Sequence, residues 1–149
     1  MLFRSVCGLR GWQTAGVRDG ALQRVRVTGK PFRTVEAMAV TKTGIALTFT
    51  DPLDPETAAD AGNYAVQQWN YEVSAKYGSP DLSVADPKKK GRDSLDVTTA
   101  KLSPDGKTVT LELPKLKPVM QMGIKVRIRT ADNAPLSLDF YLTINRVPE

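Results

Sequence analysis

From residue 35 onward, hydrophobic residues alternate with polar ones over most of the chain. A period of two places successive side chains on opposite faces of an extended strand, whereas a helix repeats every 3.6 residues. The pattern therefore predicts strands with one buried face and one solvated face. The clearest stretches are GIALTF (44–49), KTVTLEL (107–113), MQMGIKVRIR (120–129, with Met120 in the inward set) and LSLDFYLTI (136–144).

Turn-forming residues separate these stretches. In SPDG (103–106), proline presets φ at the second position, and glycine tolerates a positive φ at the last position, as in a type I turn. This turn is predicted to join a strand LDVTTAKL (95–102) to the next strand as a hairpin, and ADNAP (131–135) is predicted to form a second hairpin. DPETAAD (54–60) has an aspartate cap followed by proline, which predicts a single helical turn ending at Gly62.

The stretch NYAVQQWNYEV (63–73) changes phase part-way along. Its two apolar sets are out of step by one residue: Tyr64 with Val66, then Trp69 with Tyr71 and Val73. A β-bulge at Gln67–Gln68 would bring both sets to the core side. The alternative is an edge strand with its aromatic residues on the outer face. About 20 residues without a hydrophobic period follow, including Lys88–Lys90, and a loop of that length is more often functional or mobile.

About seven strands at regular spacing predict an all-β fold, an antiparallel β-sandwich of immunoglobulin or fibronectin type. The only cysteine is Cys7, so the expected likeness is to relatives without the antibody disulfide. Residues 1–33 differ, because two short strands flank a glycine-rich segment before TGKP (28–31). We therefore expect residues 1–33 to be a hairpin remnant of a preceding module and residues 34–149 to be the sandwich.

Histidine is absent from the 149 residues, and this count excludes several kinds of site. Without histidine there is no Ser-His or Cys-His nucleophile pair, no His-ligated zinc and no His ligand for haem. The net charge of +5 is dispersed among acidic residues, which favours a solvated surface over a nucleic-acid interface. We expect no enzymatic activity, no cofactor in this chain, no nucleic-acid partner and no membrane span.

Aromatic residues near loops are the candidate ligand-binding residues. Tyr71 and Tyr77 lie at the mouth of the long loop, and rings beside a loop-rimmed cleft suit stacking on carbohydrate. Trp12 lies in the glycine-rich GLRGWQT, which favours packing against an adjoining module, with sugar stacking as the alternative. Trp69 is interpreted as the core tryptophan of the sandwich, with Tyr71 as its neighbour.

Two charged groups are further candidates. One strand face carries three basic residues, Lys125, Arg127 and Arg129. Together with Arg24 and Arg26 they would form a basic surface that binds a polyanion. Outward basic residues more often only solvate a sheet. Four acidic residues within a short span offer oxygen ligands for Ca²⁺, but their spacing is not that of an EF-hand and a structural role is favoured. These residues are Asp51, Asp54, Glu56 and Asp60.

Several blocks in order resemble the C-terminal part of large multidomain proteins of Planctomycetes and Verrucomicrobia. In that family a sugar-dehydrogenase-like β-propeller is followed by an Ig-like module, often with c-type haem domains elsewhere. The haem motif CxxCH does not occur here, and the propeller's quinone- and sugar-binding residues would lie upstream. The blocks are GLRGWQT (8–14), DGALQRVRVTGKP (19–31), VTKTGIALTFTDPLD (40–54), YAVQQWNY (64–71), YGSPDLSVADPKKKGRD (77–93), KLSPDGKTVTLELP (101–114) and TINRVP (143–148).

The resemblance implies a non-catalytic accessory domain, cut from a periplasmic or extracellular redox-associated protein, whose partners are the neighbouring domains of the parent chain. The start of the sequence has no apolar core of a secretory signal, which fits a fragment of an exported protein. Two alternatives remain open: a carbohydrate-binding module that holds polysaccharide, and a basic face that binds a polyanion.

Overall fold

A computed structural model describes residues 3–8, 21–26, 28–75 and 78–149, the first two ranges as backbone only. The chain divides into two compact units, residues 1–32 and 33–149, one residue from the boundary expected from the sequence. In the first unit, β1 (Phe3–Gly8) and β2 (Ala21–Arg26) pair antiparallel. The interpretation of this unit as the end of a propeller stays a prediction.

The second unit is an antiparallel β-sandwich, which confirms the predicted all-β fold. Its strands are β3 (Val35–Val40), β4 (Gly44–Phe49), β5 (Tyr64–Trp69), β6 (Asp93–Leu95), β7 (Thr99–Leu102), β8 (Thr108–Glu112), β9 (Val119–Arg129) and β10 (Pro135–Ile144). One sheet, called the back sheet, has the strand order β3-β4-β8-β7. The other, called the front sheet, has the order β10-β9-β5-β6.

The core lies between the two sheets and follows the alternation in the sequence. In β4, Ile45, Leu47 and Phe49 are all buried, as predicted for GIALTF. They belong to one apolar cluster with residues of the front sheet such as Ile124 and Val126. Full burial of one such side chain is worth about 2 kcal/mol relative to exposure, so this cluster holds the sheets together.

Both predicted hairpins are present. In the first, the Ser103 N–H donates to the Thr108 carbonyl at 2.8 Å, and Gly106, at a φ of 69°, closes the SPDG turn between β7 and β8. In the second, the Thr130 N–H donates to the Ala134 carbonyl at 3.0 Å between β9 and β10. The turn residues thus act as their local chemistry predicts.

The predicted helical turn is α1 (Pro55–Ala59), followed by a 3₁₀ turn (Ala61–Asn63). The Asp54 carboxylate accepts a hydrogen bond from the Thr57 N–H at 2.9 Å, which caps the helix. The Tyr64 hydroxyl donates to the Ala58 carbonyl at 2.8 Å and anchors the turn to the sandwich. No helix in the described part of the chain is long and apolar enough to cross a membrane.

The stretch LDVTTAKL (95–102) is two strands rather than one. Its start lies in β6, which pairs with β5 of the front sheet, whereas its end forms β7, which pairs with β8 of the back sheet. Val97, between them, packs against the core as the chain crosses from one sheet to the other. Alternation continues through such a crossing, so the sequence pattern did not reveal it.

The predicted β-bulge at Gln67–Gln68 is wrong. β5 pairs with β9 in unbroken register from Tyr64 to Trp69, where the strand ends. The alternative of an edge strand is also wrong, because β5 lies between β9 and β6, although Trp69 does lie on the outer face as that alternative proposed. Tyr71 and Val73 fall beyond the strand and are exposed.

A register shift occurs instead between β9 and β10. Leu142 pairs with Met122, but Ile144 pairs with Val119, so β9 carries one extra residue. As a result Val119 is buried, while Met120, expected on the inward face, is 36% exposed. The bulge therefore changes which side chain enters the core at this end of the sheet.

The long loop between β5 and β6 is tied down by hydrogen bonds in its described residues. Asn70 and Leu82 exchange two backbone hydrogen bonds of 2.8 Å. The Asp93 carboxylate accepts from the N–H groups of Val84 at 2.7 Å and Ala85 at 2.9 Å. Residues 88–90, the three lysines, are exposed at the tip, as predicted.

Candidate functional site

Trp69 lies on the outer face of the front sheet and is not the core tryptophan predicted from the sequence. Along β5 the side chain of Gln68 points inward, so Trp69 points outward, and it is absent from the core cluster. It is nevertheless only 6% exposed. Tyr141 meets it edge to face, with ring centres 6.0 Å apart and planes at 80°, and Arg92 covers its ring at 3.8 Å.

Arg92 is fixed on two sides. Its guanidinium lies over the Trp69 ring, and its Nε donates to Oδ2 of Asp81 at 2.7 Å. Asp81 belongs to the long loop, whose Gly91 N–H in turn donates to the Asp81 carbonyl at 2.8 Å. The loop, Arg92 and Trp69 therefore form one wall on the outer face of the front sheet.

Gly123 forms the floor beside this wall. It lies in the middle of β9, opposite Gln67 of β5 and Tyr141 of β10. A β-carbon at this position would lie 3.0 Å from the Tyr141 ring and 3.5 Å from Cη2 of Trp69. The missing side chain thus allows both rings to lean over the strand and fill the space that a β-carbon would need.

A depression beside the Tyr141 ring, called the front groove, has a volume of about 310 Å³; Gly123 is one of its lining residues, and Trp69 is not. That volume is at the lower end of the range for small-molecule sites. One exposed aromatic ring and several hydrogen-bonding groups converge on it. The polar side chains that line it are Gln67, Arg92, Ser94, Lys125, Asp139 and Tyr141.

Asp139 and Lys125 set the charge of the groove. The Asp139 carboxylate pairs with Arg127 at 2.7 Å, and this hydrogen bond, together with the charges of Arg127 and Lys125, holds the pKa of Asp139 below its usual range. Asp139 is therefore an ionised acceptor at neutral pH. No ion pair of Lys125 is present among the described residues, so its ammonium group is free to donate to a ligand.

The three residues of the predicted basic face have separate roles. Lys125 lines the front groove. Arg127 pairs with Asp139, and Arg129 donates to Oδ1 of Asn133 at 2.7 Å. The side chains of Arg24 and Arg26 lie outside the described part of the chain.

The predicted aromatic ligand-binding residues do not line the groove where they are described. Tyr71 is exposed beyond the end of β5, and its N–H donates to Sδ of Met120 at 3.4 Å. Trp12 and Tyr77 lie outside the described residues. The reasoning from sequence missed Tyr141 and Gly123, although the outward phase of LSLDFYLTI places Tyr141 and Asp139 on one face.

Three of the four acidic residues of the candidate calcium site have other partners, and the fourth, Glu56, is exposed in the first turn of α1. Hydrogen bonds from Thr57 lower the pKa of Asp54, whose carboxylate caps α1. The Asp60 carboxylate accepts from the Gly62 N–H at 2.8 Å, and Asp51 accepts from the Thr50 hydroxyl at 2.7 Å. Within residues 28–75 and 78–149, no three acidic, cysteine or histidine side chains are placed to hold a metal ion.

No protein-family model matches the sequence. No curated protein and no solved structure matches the chain either. The geometry of the front groove is therefore the basis on which a function is argued.

Proposed function

We propose that residues 33–149 form an immunoglobulin-like, non-catalytic binding module that holds a sugar ring in the front groove. The observation that carries this proposal is the 59% exposed Tyr141 ring at the side of the front groove, which Gly123 also lines. The apolar face of a sugar packs on an aromatic ring, while its hydroxyls need donors and acceptors around the rim. Gln67, Lys125 and Asp139 offer both kinds of group.

The strand order supports the immunoglobulin-like part of the proposal. If β3, β4, β7 and β8 are taken as strands A, B, D and E, the back sheet has the order A-B-E-D. If β5, β9 and β10 are taken as C, F and G, the front sheet has the order G-F-C, with β6 as an added C′ strand. This is the arrangement of immunoglobulin constant domains with one extra strand.

Rigidity of the aromatic wall favours binding. Tyr141 is held at its edge by Trp69, and Trp69 is held by Arg92. A ring that is already fixed loses little conformational entropy when a ligand packs against it. The absence of histidine from the sequence supports a non-catalytic role, because it leaves no histidine to activate a nucleophile.

The test is affinity gel electrophoresis of the full chain in gels that contain neutral and acidic soluble polysaccharides. Tyr141→Ala is expected to weaken binding about tenfold, because a lost ring contact of this kind is worth about 1.4 kcal/mol. Tyr71→Ala is the matched control, since Tyr71 is exposed but lies outside the groove. Retardation by no polysaccharide, or an equal loss in the control, would contradict the proposal.

We also propose that this module is an accessory domain of a larger exported, redox-associated protein. The support is the resemblance of the ordered sequence blocks, together with an exposed apolar surface of Tyr71, Val73 and Met120 that suits packing against a neighbouring domain. The genomic DNA upstream of Met1 tests it. A reading frame that continues upstream into a propeller is expected, whereas a stop codon and a ribosome-binding site directly before Met1 would contradict the proposal.

A further inference from the structure

A second depression, called the side cleft, adjoins the front groove around strand β6. It has a volume of about 610 Å³ and lies between the long loop, β6 and the β8–β9 connection. Arg92, Ser94 and Leu95 line both depressions, so the two lie next to each other at the edge of the front sheet. The polar residues that line the side cleft are Gln68, Arg92, Asp93, Ser94, Lys115 and Lys117.

The side cleft carries an excess of positive charge. The carboxylate in this cleft, Asp93, already accepts hydrogen bonds from the N–H groups of Val84 and Ala85. Lys117 donates to the Val84 carbonyl at 3.3 Å, and its charge acts on the Asp93 carboxylate without forming a direct ion pair among the described residues. Lys115 has no ion-pair partner among the described residues. Two ammonium groups at the rim therefore attract an anion.

Gln68 gives the cleft a hydrogen-bonding group without a partner. Its side chain is 4% exposed and lines the cleft, and its Oε1 has no hydrogen-bond partner in the described part of the chain. A buried polar atom left without a partner costs about 1–3 kcal/mol. This oxygen is shielded from solvent in the structure, and a turn of the Gln68 side chain toward the cleft would bring it to a ligand hydroxyl.

We infer that the ligand is an acidic polysaccharide whose chain runs from the front groove around β6 into the side cleft. One sugar packs on Tyr141, and the anionic group of a neighbouring sugar lies at Lys115 and Lys117. Lys125 at the front groove adds a further cation along the same path. This inference rests on the proposed function and specifies the class of polysaccharide.

The same surface is poorly suited to nucleic acid. Single-stranded nucleic acids bind through successive stacking rings, and Tyr141 is the exposed ring of the front groove, since Trp69 is covered. A glycan needs only one exposed ring, because one sugar face packs on Tyr141 while the neighbouring sugars bind through hydroxyl and carboxylate groups.

The experiment measures binding of the full chain to polygalacturonate, alginate and hyaluronate, each compared with its carboxyl-reduced, uncharged form. We expect at least one acidic polymer to bind about fivefold tighter than its reduced form, and the preference to fall as salt rises. Lys115→Gln/Lys117→Gln is expected to abolish that preference without changing binding of the reduced form. The control is Lys30→Gln/Lys42→Gln, which removes two exposed lysines outside both depressions.

The outcomes separate this inference from the proposed function. Binding of neutral polymers that depends on Tyr141, with no preference for any acidic form, would overturn the inference and leave the proposed function standing. An equal loss in the Lys30/Lys42 control, or equally tight binding of duplex DNA, would also overturn it, because net charge alone would then explain the preference. Binding of no polysaccharide would overturn both.

Discussion

The guanidinium carbon of Arg92 lies 3.8 Å from the centre of the Trp69 ring, on the outer face of the front sheet. Arg92 is also paired with Asp81, so this contact joins the long loop to the last residue of β5. It explains how a tryptophan outside the core is only 6% exposed. The front groove thus has a wall that is fixed before any ligand arrives.

Arg92→Ala is expected to lower the free energy of unfolding by about 1 kcal/mol, because it removes the cation–π contact and an exposed ion pair. Urea unfolding measures the change. Arg92→Lys keeps the charge but not the flat guanidinium, so an intermediate loss is expected. Arg146→Ala, at an exposed position of the C-terminal segment, is the control and is expected to change stability by less than about 0.5 kcal/mol. Equal effects of Arg92→Ala and Arg146→Ala would contradict the role given to Arg92.

Two glycines in central strands are expected to respond differently to alanine. At Gly44 a β-carbon would lie 1.8 Å from the Leu111 carbonyl oxygen, so Gly44→Ala forces β4 away from β8 and is expected to cost about 3 kcal/mol. At Gly123 the nearest atoms belong to the side chain of Tyr141, which lies at the surface and can shift by loosening its edge-to-face contact with Trp69. Gly123→Ala is therefore expected to cost less than about 1 kcal/mol but to weaken sugar binding, because the turned ring and the added methyl group alter the groove.

Thermal unfolding and polysaccharide binding of the two glycine variants check this expectation. If Gly123→Ala binds as well as the unchanged protein, the groove over Gly123 is not the binding site. If Gly44→Ala is as stable as Gly123→Ala, Gly44 does not lie so close to the Leu111 carbonyl that a methyl group is excluded.

The bulge in β9 predicts that alanine substitution at two adjacent residues lowers the free energy of unfolding by different amounts. Val119 is 4% exposed and lies in the core cluster, so Val119→Ala is expected to cost about 2 kcal/mol. Met120 is 36% exposed, and its N–H is bound by Oδ1 of Asn70 at 3.0 Å, so Met120→Ala keeps the backbone contact and is expected to cost less than about 1 kcal/mol. Chemical denaturation of both variants measures the difference. A larger loss for Met120→Ala than for Val119→Ala would contradict the bulge and favour the regular alternation predicted from the sequence.

Asp93 is expected to make stability depend on pH. Partial burial acts to raise its pKa, but hydrogen bonds from Ala85, Ser83 and Val84 and the charge of Lys117 lower it overall from 3.8. A carboxyl with a lowered pKa in the folded state stabilises the fold fully above its ordinary pKa, and the contribution is lost as pH falls through the lowered value.

Asp93→Asn is therefore expected to cost about 1–2 kcal/mol at pH 7, after allowance for screening by water. The gap between the two proteins should narrow as pH falls below about 4. Urea unfolding at a series of pH values measures the gap, and Asp96→Asn, at an exposed residue directly after β6, is the control. A gap that stays constant from neutral to acid pH would show that the Asp93 charge does not hold the loop.

Local chemistry allowed much of the architecture to be predicted from the sequence. The alternation in GIALTF placed Ile45, Leu47 and Phe49 in the core, and SPDG and the Asp54 cap formed the turn and the helix that they predict. These signals involve residues within a few positions of one another. Such interactions act in the same way whatever the rest of the chain does.

The site could not be predicted in the same way. A period of two shows that Gln68 and Trp69 face opposite sides, but it does not show which side a partner covers. Trp69 is covered by Arg92 and Tyr141, which come from another segment of the chain and from a strand two positions away in the sheet. The same is true of the bulge at Met120, which is defined only by pairing with β10.

The sequence by itself determined that this protein is an antiparallel β-sandwich with two tight hairpins and one capped helical turn, because short-range patterns specify strands, turns and caps. Only the tertiary structure decided that Trp69 faces outward, that β9 carries the bulge and that Gly123 lines the front groove. The physical reason is that each of these depends on side chains and backbone groups brought together from distant parts of the chain, and their packing energy appears only once the sheets have formed.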